Sequence, residues 1–220
     1  MKIGITGGIG SGKSYICRLL EQRGYTVYDC DSAAKRLIRS SPFIRRRLTA
    51  LIGPETYFKE TGDGSQETGV RSQETGVRSQ ESGDRSQESG DYILNKKAVA
   101  EFLLKSEDNA RAIDRIVHPA VFRDFIESGL EWMESAIIYE SGIHRLVDRV
   151  IVVTAPEELR IQRVMARDEI SREKVLEWMS RQLPQEEVRQ RADYEIVNDG
   201  LTDLNQQLDE ILKEISNNKQ

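Results

Sequence analysis

A glycine-rich stretch near the start of the chain, GITGGIGSGKS at positions 4–14, has the residue types that bind phosphate. Residues Gly7 to Ser14 fit the pattern G-x-x-x-x-G-K-[ST], whose glycines let backbone N–H groups turn toward an anion. In this pattern the lysine, Lys13, reaches the β- and γ-phosphates of a nucleotide, and the Ser14 hydroxyl binds Mg²⁺. The stretch therefore predicts a site for a nucleoside triphosphate.

The residues on both sides of this loop support the same interpretation. Lys2–Thr6 read as a short apolar strand before the loop. After the loop, apolar residues recur at helical spacing until Gly24: Ile16, Leu19 and Leu20. Strand, glycine loop and helix in this order are typical of a P-loop. A dinucleotide-binding G-x-G-x-x-G pattern does not fit, because Lys13 follows Gly12.

Two carboxylates follow the second predicted strand, in the sequence YDCDS at 28–32. Ligands of open α/β sheets bind beyond the carboxyl ends of the strands, so these acids are placed near the P-loop. One of Asp29 and Asp31 could accept a proton from an attacking hydroxyl, while the other holds a Mg²⁺-bound water. Alternatively, Asp31 or Ser32 caps a helix over 33–39. The spacing does not decide which aspartate is the base.

Arginines are frequent between Pro156 and Arg191. Arg160, Arg163 and Arg167 lie at i, i+3 and i+7, which places them on one face of a predicted helix. Such a face is either solvated or the inner side of a lid that brings arginines to a transferring phosphoryl group. Both interpretations remain open on spacing alone.

Composition excludes several classes of protein. A chain of 220 residues suits one α/β domain with an appendage, and its net charge of −5 gives no basic excess for nucleic acid or an anionic membrane. No apolar run has the length of a transmembrane helix. Cys17 and Cys30 form no disulfide or zinc pattern. We expect a cytoplasmic enzyme, and nothing in the sequence indicates a protein partner.

Apolar runs rich in β-forming residues predict five strands, at 2–6, 26–28, 136–139, 149–153 and 194–197. Strands that alternate with helical patterns predict an α/β fold with a five-stranded parallel sheet. Helical segments over 95–131 predict a small helical subdomain. Apolar residues between Leu201 and Ile215 predict one amphipathic helix that packs on the sheet.

Residues 64–91 are a tandem repeat with a period of seven: GSQETGV, RSQETGV, RSQESGD and RSQESGD. A coiled coil is excluded, since only Val70 and Val77 are apolar and every copy carries a glycine. Such a composition buries too little apolar surface to offset the entropy of ordering, so we predict a disordered insertion. An array that binds a partner is the alternative.

An ordered set of motifs resembles the dephospho-coenzyme A kinase family. The set comprises TGGIGSGKS at 6–14, DCD at 29–31, DRIVHP at 114–119, RVMARD at 163–168, Gln182, Ala192–Asp193 and Ile196–Asn198. G-K-S alone is common to many nucleotide-binding proteins, whereas the whole set in this order is specific. The resemblance covers nearly the whole chain except the repeat.

This resemblance implies ATP-dependent phosphorylation of the ribose 3′-hydroxyl of dephospho-coenzyme A, the last step of coenzyme A synthesis, with ATP and Mg²⁺. It also implies a P-loop kinase core, which we place at 1–40, 132–155 and 192–220. A helical substrate subdomain would occupy about 41–131, and an arginine-bearing lid about 156–191.

The resemblance also assigns residues. Asp31 would be the base, and Lys13 and Arg167 would be the other catalytic residues. ATP would be bound by Gly8, Ile9, Gly10, Ser11, Gly12, Lys13, Ser14 and Tyr15, with Ser14 also on the metal. Substrate would be contacted by Asp29, His118 and Glu140.

The sequence departs from the family pattern at three places. Tyr15 stands where the family commonly has threonine, and the run Ser135–Glu140 keeps the glutamate of a P-L-L-x-E pattern but lacks its proline. The 28-residue repeat at 64–91 interrupts a loop that is short in the family. None of these departures affects Lys13, Ser14 or Asp31, so activity is expected, although substrate affinity could differ.

Two other classes of P-loop protein share part of this pattern. A nucleoside monophosphate kinase shares the P-loop and the arginine lid, but it holds an acceptor phosphate and needs no base, whereas Asp31 favours a hydroxyl acceptor. A regulatory P-loop GTPase or ATPase is disfavoured, because Asn95–Ala98 lacks the aspartate of the guanine-binding N-K-x-D motif and no D-x-x-G switch motif was recognised.

Overall fold

A five-stranded parallel sheet organises the larger part of the chain in the computed structural model, in which residues 1–59 and 92–217 are described. The α/β class and the parallel sheet predicted from the sequence are thereby confirmed. In chain order, the elements are β1 (Ile3–Thr6), α1 (Lys13–Gln22), β2 (Val27–Asp29), α2 (Cys30–Ser40), α3 (Pro42–Ile52), β3 (Tyr57–Lys59), β4 (Tyr92–Leu94), α4 (Lys96–Lys105), α5 (Glu107–Ser128), β5 (Trp132–Glu134), β6 (Arg149–Thr154), α6 (Glu157–Asp168), α7 (Arg172–Met179), α8 (Gln185–Arg191), β7 (Tyr194–Val197) and α9 (Leu204–Asn217).

The order of the strands in this sheet is β2-β5-β1-β6-β7. The strand before the P-loop, β1, is therefore central, with β5 on one side and β6 on the other, and its pairing with both is parallel. Parallel strands direct their carboxyl ends to the same edge. As a result, the P-loop after β1 lies at the same edge as the acidic residues that end β2 and β5.

The third strand was predicted at the wrong place. The apolar run 136–139 forms a turn, and the strand is β5, four to five residues earlier. Ser135 still donates from its backbone N–H to Ile5, and the chain then turns back, with Gly142 N–H bonded to the Tyr139 carbonyl. Ile138 is fully buried, and its side chain is close to Gly4. The run is thus apolar because it fills the core from a turn.

Two helices cover one face of the sheet. Apolar side chains of α1 and α9 form one core cluster with β1, β6 and β7. The predicted amphipathic C-terminal helix is confirmed as α9, although Leu201 precedes it and is exposed. None of the helices within 1–59 and 92–217 combines the length and apolar character needed to span a membrane.

The C-terminal half of α5 packs against β2. Phe125 is fully buried, and its ring centroid lies 5.3 Å from that of Tyr28. The Tyr28 hydroxyl donates to Asp124 over 2.6 Å, and the Lys2 ammonium lies 4.8 Å from the Phe125 ring centroid. These contacts anchor β2, which ends at Asp29 and is followed by Asp31 in α2.

By compactness, the chain divides into two units, Met1–Leu37 with Asp114–Gln220, and Ile38–Ile113. The second unit contains α3, α4 and an antiparallel pair, β3 and β4, that the sequence did not predict; Lys59 lies opposite Tyr92. The repeat at 64–91 lies outside the described residues, so its predicted disorder stays a prediction. The predicted bounds of the substrate subdomain, 41–131, and of the lid, 156–191, also stay predictions.

Replacing Phe125 with alanine tests this packing. We expect a loss of about 3–5 kcal/mol in the free energy of unfolding, because the change removes a large buried side chain and leaves a cavity. The neighbouring residue Ile126 is about half exposed, at 52%, so Ile126→Ala is the matched control and should cost far less. Urea denaturation measures both. Equal losses would contradict the described packing of α5.

Candidate active site

The P-loop connects β1 to α1 through a left-handed glycine turn. Gly10 and Gly12 have φ values of 78° and 94°, which side-chain-bearing residues rarely adopt. Helix α1 begins at Lys13, and Gly12 provides no side-chain cap. The first N–H groups of a helix have no intrahelical acceptor, so the N-terminus of α1 can bind an anion.

Arg160 and Asn198 pack so closely against this loop that the loop needs glycine. A Cβ atom at Gly8 would overlap the guanidinium of Arg160, and one at Gly10 would overlap the Arg160 carbonyl oxygen. A Cβ atom at Gly12 would overlap the amide nitrogen of Asn198. The same amide donates to the carbonyl of Ser11 over 2.8 Å. The path of the loop is therefore shaped from behind by α6 and by the residue after β7.

The P-loop lysine is paired with an acid that the sequence analysis did not single out. Lys13 Nζ contacts the carboxylate of Glu134, and the two side chains are only 11% and 13% exposed. The Ser14 hydroxyl donates to the same Glu134 oxygen over 3.4 Å. Glu134 was missed because the third strand was assigned to 136–139. An acid at the end of a strand beside β1 was the signal that could have found it.

The two aspartates after β2 have different surroundings, because the chain turns between them. Asp29 ends β2 and accepts hydrogen bonds from Asp31 N–H (2.9 Å), Ser32 N–H (3.1 Å) and the Ser32 hydroxyl (2.6 Å). Asp31 lies in the first turn of α2 and is exposed. The side chain that holds the start of the helix is thus Asp29, rather than Asp31 or Ser32 as the capping alternative proposed.

These bonds have an electrostatic consequence for Asp29. Burial acts to raise the pKa of Asp29, but the bonds from Ser32 and Asp31, together with the charge of Lys13, lower it below its usual value of 3.8. The neighbouring thiol has the opposite shift: burial, followed by the charges of Asp31, Asp29 and Glu134, raises the pKa of Cys30 to about 12. Asp29 and Glu134 therefore both place negative charge near Lys13.

The three arginines predicted on one helix face are not equivalent. Arg160 is buried, with 6% of its surface exposed, and donates from Nε to the Ile9 carbonyl over 3.0 Å. Arg163 donates to the backbone and side-chain oxygens of Asn198, at 3.2 and 3.1 Å. Arg167 is exposed and pairs with Asp168. The alternative of one solvated arginine face is wrong, because Arg160 lies under the P-loop.

Two of the predicted substrate contacts have neighbours within the protein. His118 lies in α5, 3.6 Å from the Asp114 carboxylate, and its ring stacks on Phe122. Glu140 follows β5 and accepts a hydrogen bond from the Leu183 N–H over 3.0 Å. Their role toward a substrate stays a prediction.

Two oxygen donors fit a magnesium ion at this site. Within the described residues, no group of three or more histidine, cysteine, aspartate or glutamate side chains could hold a metal. Mg²⁺ does not need one, because it is commonly bound through one or two protein oxygens, water and substrate phosphates. The Ser14 hydroxyl and the Glu134 carboxylate, which lie 3.4 Å apart, are donors of this kind.

Comparison with known proteins gives a consistent result. The sequence pattern of the dephospho-CoA kinase family matches residues 1–67 and 84–203. The chain is 34% identical over 219 residues to the dephospho-CoA kinase of Bacteroides fragilis, which covers 96% of this chain and 91% of that relative. It is 37% identical over 203 residues to that of Porphyromonas gingivalis, covering 89% and 85%. The resemblance found in the motifs is thus confirmed.

Two solved structures have a similar fold. The crystal structure of TT1252 from Thermus thermophilus has a TM-score of 0.70 and 30% identity, and the match covers 99% of this chain and 97% of that one. The dephospho-CoA kinase of Campylobacter jejuni has a TM-score of 0.60 at 19% identity, with complete coverage of both chains (100% and 100%). At that identity, the second match supports the fold alone.

Replacing Asp29 with alanine tests its position at the start of α2. We expect the free energy of unfolding to fall by about 0.5–2 kcal/mol at neutral pH, the usual cost of removing a helix cap. Because the folded-state pKa of Asp29 is lowered, its carboxylate stabilises the fold above pH 3.8, and this contribution is lost as the pH falls through the lowered pKa. Urea denaturation at pH 7 and pH 3 should therefore show a smaller difference at pH 3. A difference that grows with acid would contradict the assignment.

Proposed function

The chain belongs to the dephospho-CoA kinase family, and we propose that it transfers the γ-phosphoryl group of ATP to the ribose 3′-hydroxyl of dephospho-coenzyme A. The products are coenzyme A and ADP, and the reaction is the final step of coenzyme A biosynthesis. The observation that carries the proposal is the intact P-loop, with Lys13 and Ser14 beside Glu134. A cytoplasmic location is part of the proposal, supported by the free, buried thiols of Cys17 and Cys30.

On the nucleotide side, backbone N–H groups at the start of α1 bind the phosphates of ATP. Lys13 binds the β- and γ-phosphates. The phosphate oxygens compete with the Glu134 carboxylate for the ammonium group of Lys13. Ser14 and Glu134 would hold Mg²⁺, which neutralises charge on the β- and γ-phosphate oxygens when bound. The remaining loop residues, Gly8 to Gly12 and Tyr15, line the ATP site.

On the acceptor side, Asp31 is the general base. Burial acts to raise the pKa of Asp29, but three hydrogen bonds occupy its carboxylate and hold that pKa low, so Asp29 is poorly suited to take the proton. The Asp31 carboxylate takes the proton from the 3′-hydroxyl while that oxygen attacks the γ-phosphorus, and the bond from phosphorus to the bridging oxygen of ADP breaks. Asp29 orients this turn of the chain next to the substrate.

The other assignments rest on the family resemblance. Arg167, on the lid, stabilises the transferring phosphoryl group once it exchanges Asp168 for phosphate oxygens. His118 and Glu140 contact dephospho-coenzyme A. The lid closes over the site during turnover and excludes water.

The direct test is ADP release from ATP, followed in a coupled assay with dephospho-coenzyme A as acceptor. We expect turnover to depend on dephospho-coenzyme A and on Mg²⁺. AMP in its place should not support comparable turnover. Faster turnover with AMP would instead favour a nucleoside monophosphate kinase, and ADP release without any acceptor would favour a nucleoside triphosphatase.

Substitution of Asp31 tests the assignment of the base. Asp31→Asn should lower kcat by roughly 10²- to 10⁴-fold, the usual contribution of a positioned acid–base group, with much less effect on the Kd for ATP. Asp29→Asn is the matched comparison and should be milder, because its amide oxygen can still accept hydrogen bonds. If Asp29→Asn is the more damaging change, the two roles are reversed. If neither matters, a hydroxyl acceptor activated by a carboxylate is wrong.

Substitution of Lys13 tests the P-loop itself. Lys13→Ala should abolish transfer, because the lysine neutralises phosphate charge, and should leave the far-UV circular dichroism unchanged. It should also lower the melting temperature, since it leaves Glu134 partly buried without its partner. The double variant Lys13→Ala/Glu134→Gln should regain that stability yet stay inactive. Near wild-type turnover in either variant would contradict the assignment.

A further inference from the structure

The two peptide groups that flank Ile9 in the P-loop are each held by a side chain, one from α6 and one from the α7–α8 connection. The carbonyl of Ile9 accepts a hydrogen bond from Arg160 Nε over 3.0 Å. The N–H of Ile9 donates to the Gln182 side-chain oxygen over 2.8 Å. In this arrangement the Ile9 N–H is occupied by the Gln182 side chain.

The buried guanidinium of Arg160 donates its hydrogen bonds to uncharged oxygen atoms of the protein. Besides Ile9, its guanidinium donates to Gln185 over 3.4 Å, and Gln185 is itself bonded to the N–H and the carbonyl of Ala155. Burial lowers the pKa of Arg160. Its position is therefore set by the chain just after β6, next to the P-loop.

Gln182 is held in place in a comparable way. Its side-chain nitrogen lies 3.5 Å from the Ala136 carbonyl, and the next residue, Leu183, donates its N–H to Glu140 over 3.0 Å. The connection between α7 and α8 is thus attached both to the turn after β5 and to the P-loop. Each attachment is a hydrogen bond at a defined atom.

We propose that Arg160 and Gln182 are positioning residues, which fix the P-loop for phosphate binding by holding the two peptide groups on either side of Ile9. The proposal deepens the function proposed above and rests on the P-loop being the ATP site. Because the holding residues lie in the segment 156–191, phosphate binding and the position of this segment are linked. A change that breaks the hydrogen bond between Gln182 and Ile9 loosens the loop. Phosphate bound to the loop stabilises the same hydrogen bond in return.

Hydrogen exchange at the Ile9 amide tests the contact without relying on activity. Gln182→Ala should speed this exchange in enzyme without added nucleotide, because the N–H loses its acceptor. Gln190→Ala is the matched control, since Gln190 is exposed on α8 and its side-chain nitrogen donates to Glu186 of the same helix. Gln182→Glu should restore slow exchange, because a carboxylate also accepts the bond. Unchanged exchange in Gln182→Ala would overturn the proposal.

Nucleotide affinity tests the consequence for phosphate binding. Gln182→Ala and Arg160→Ala should each raise the Kd for ADP, measured by calorimetry, by about 5-fold, the value of one hydrogen bond. The KM for dephospho-coenzyme A should stay within about 2-fold, because these residues act on the phosphate loop and not on the acceptor. A merely structural role would lower the melting temperature and leave the Kd for ADP unchanged, and that result would overturn the proposal.

The two proposals fail in different ways. If the enzyme does not phosphorylate dephospho-coenzyme A, the proposed function is wrong, while the Ile9 exchange and the ADP affinity still decide the role of Gln182. If transfer proceeds normally in Gln182→Ala with unchanged Ile9 exchange, the function stands and the positioning role is wrong.

Discussion

The glycine turn of the P-loop is the constraint on which the rest of the site depends. Gly10 and Gly12 have left-handed backbone conformations, and Arg160 and Asn198 pack so closely behind the loop that side chains would not fit. This close approach aims the start of α1 and places Lys13 beside Glu134. Packing behind the loop and phosphate chemistry in front of it are thus two consequences of one backbone path.

The order of the strands then brings opposite charges to the same edge. Because β5 lies between β1 and β2, Glu134 is a neighbour of both Lys13 and the turn that carries Asp29. Lys13 contributes to the low pKa of Asp29 and pairs with Glu134. A triphosphate that binds here replaces one set of negative oxygens around Lys13 with another, so the lysine is matched to its ligand in advance.

Sequence reasoning found the parts of the site that are contiguous in the chain. The P-loop and the aspartates after β2 are local patterns, and the motif order identified the family. Glu134 was missed because the apolar run after it resembles a strand, and its role depends on which strand lies next to β1. The burial of Arg160 was missed because helical spacing gives a shared face but not the element that packs on it. Both errors concern tertiary neighbours, which no single segment encodes.

The proposed function requires that the γ-phosphoryl group of ATP bound at this loop passes to a ribose hydroxyl. The most direct measurement is ³¹P NMR of a reaction that contains the enzyme, Mg²⁺, ATP and dephospho-coenzyme A. We expect the γ-phosphate signal of ATP to be replaced by one new phosphomonoester signal, coupled to the ribose 3′ proton. Inorganic phosphate as the product, or a new signal at any other position of the acceptor, would contradict it.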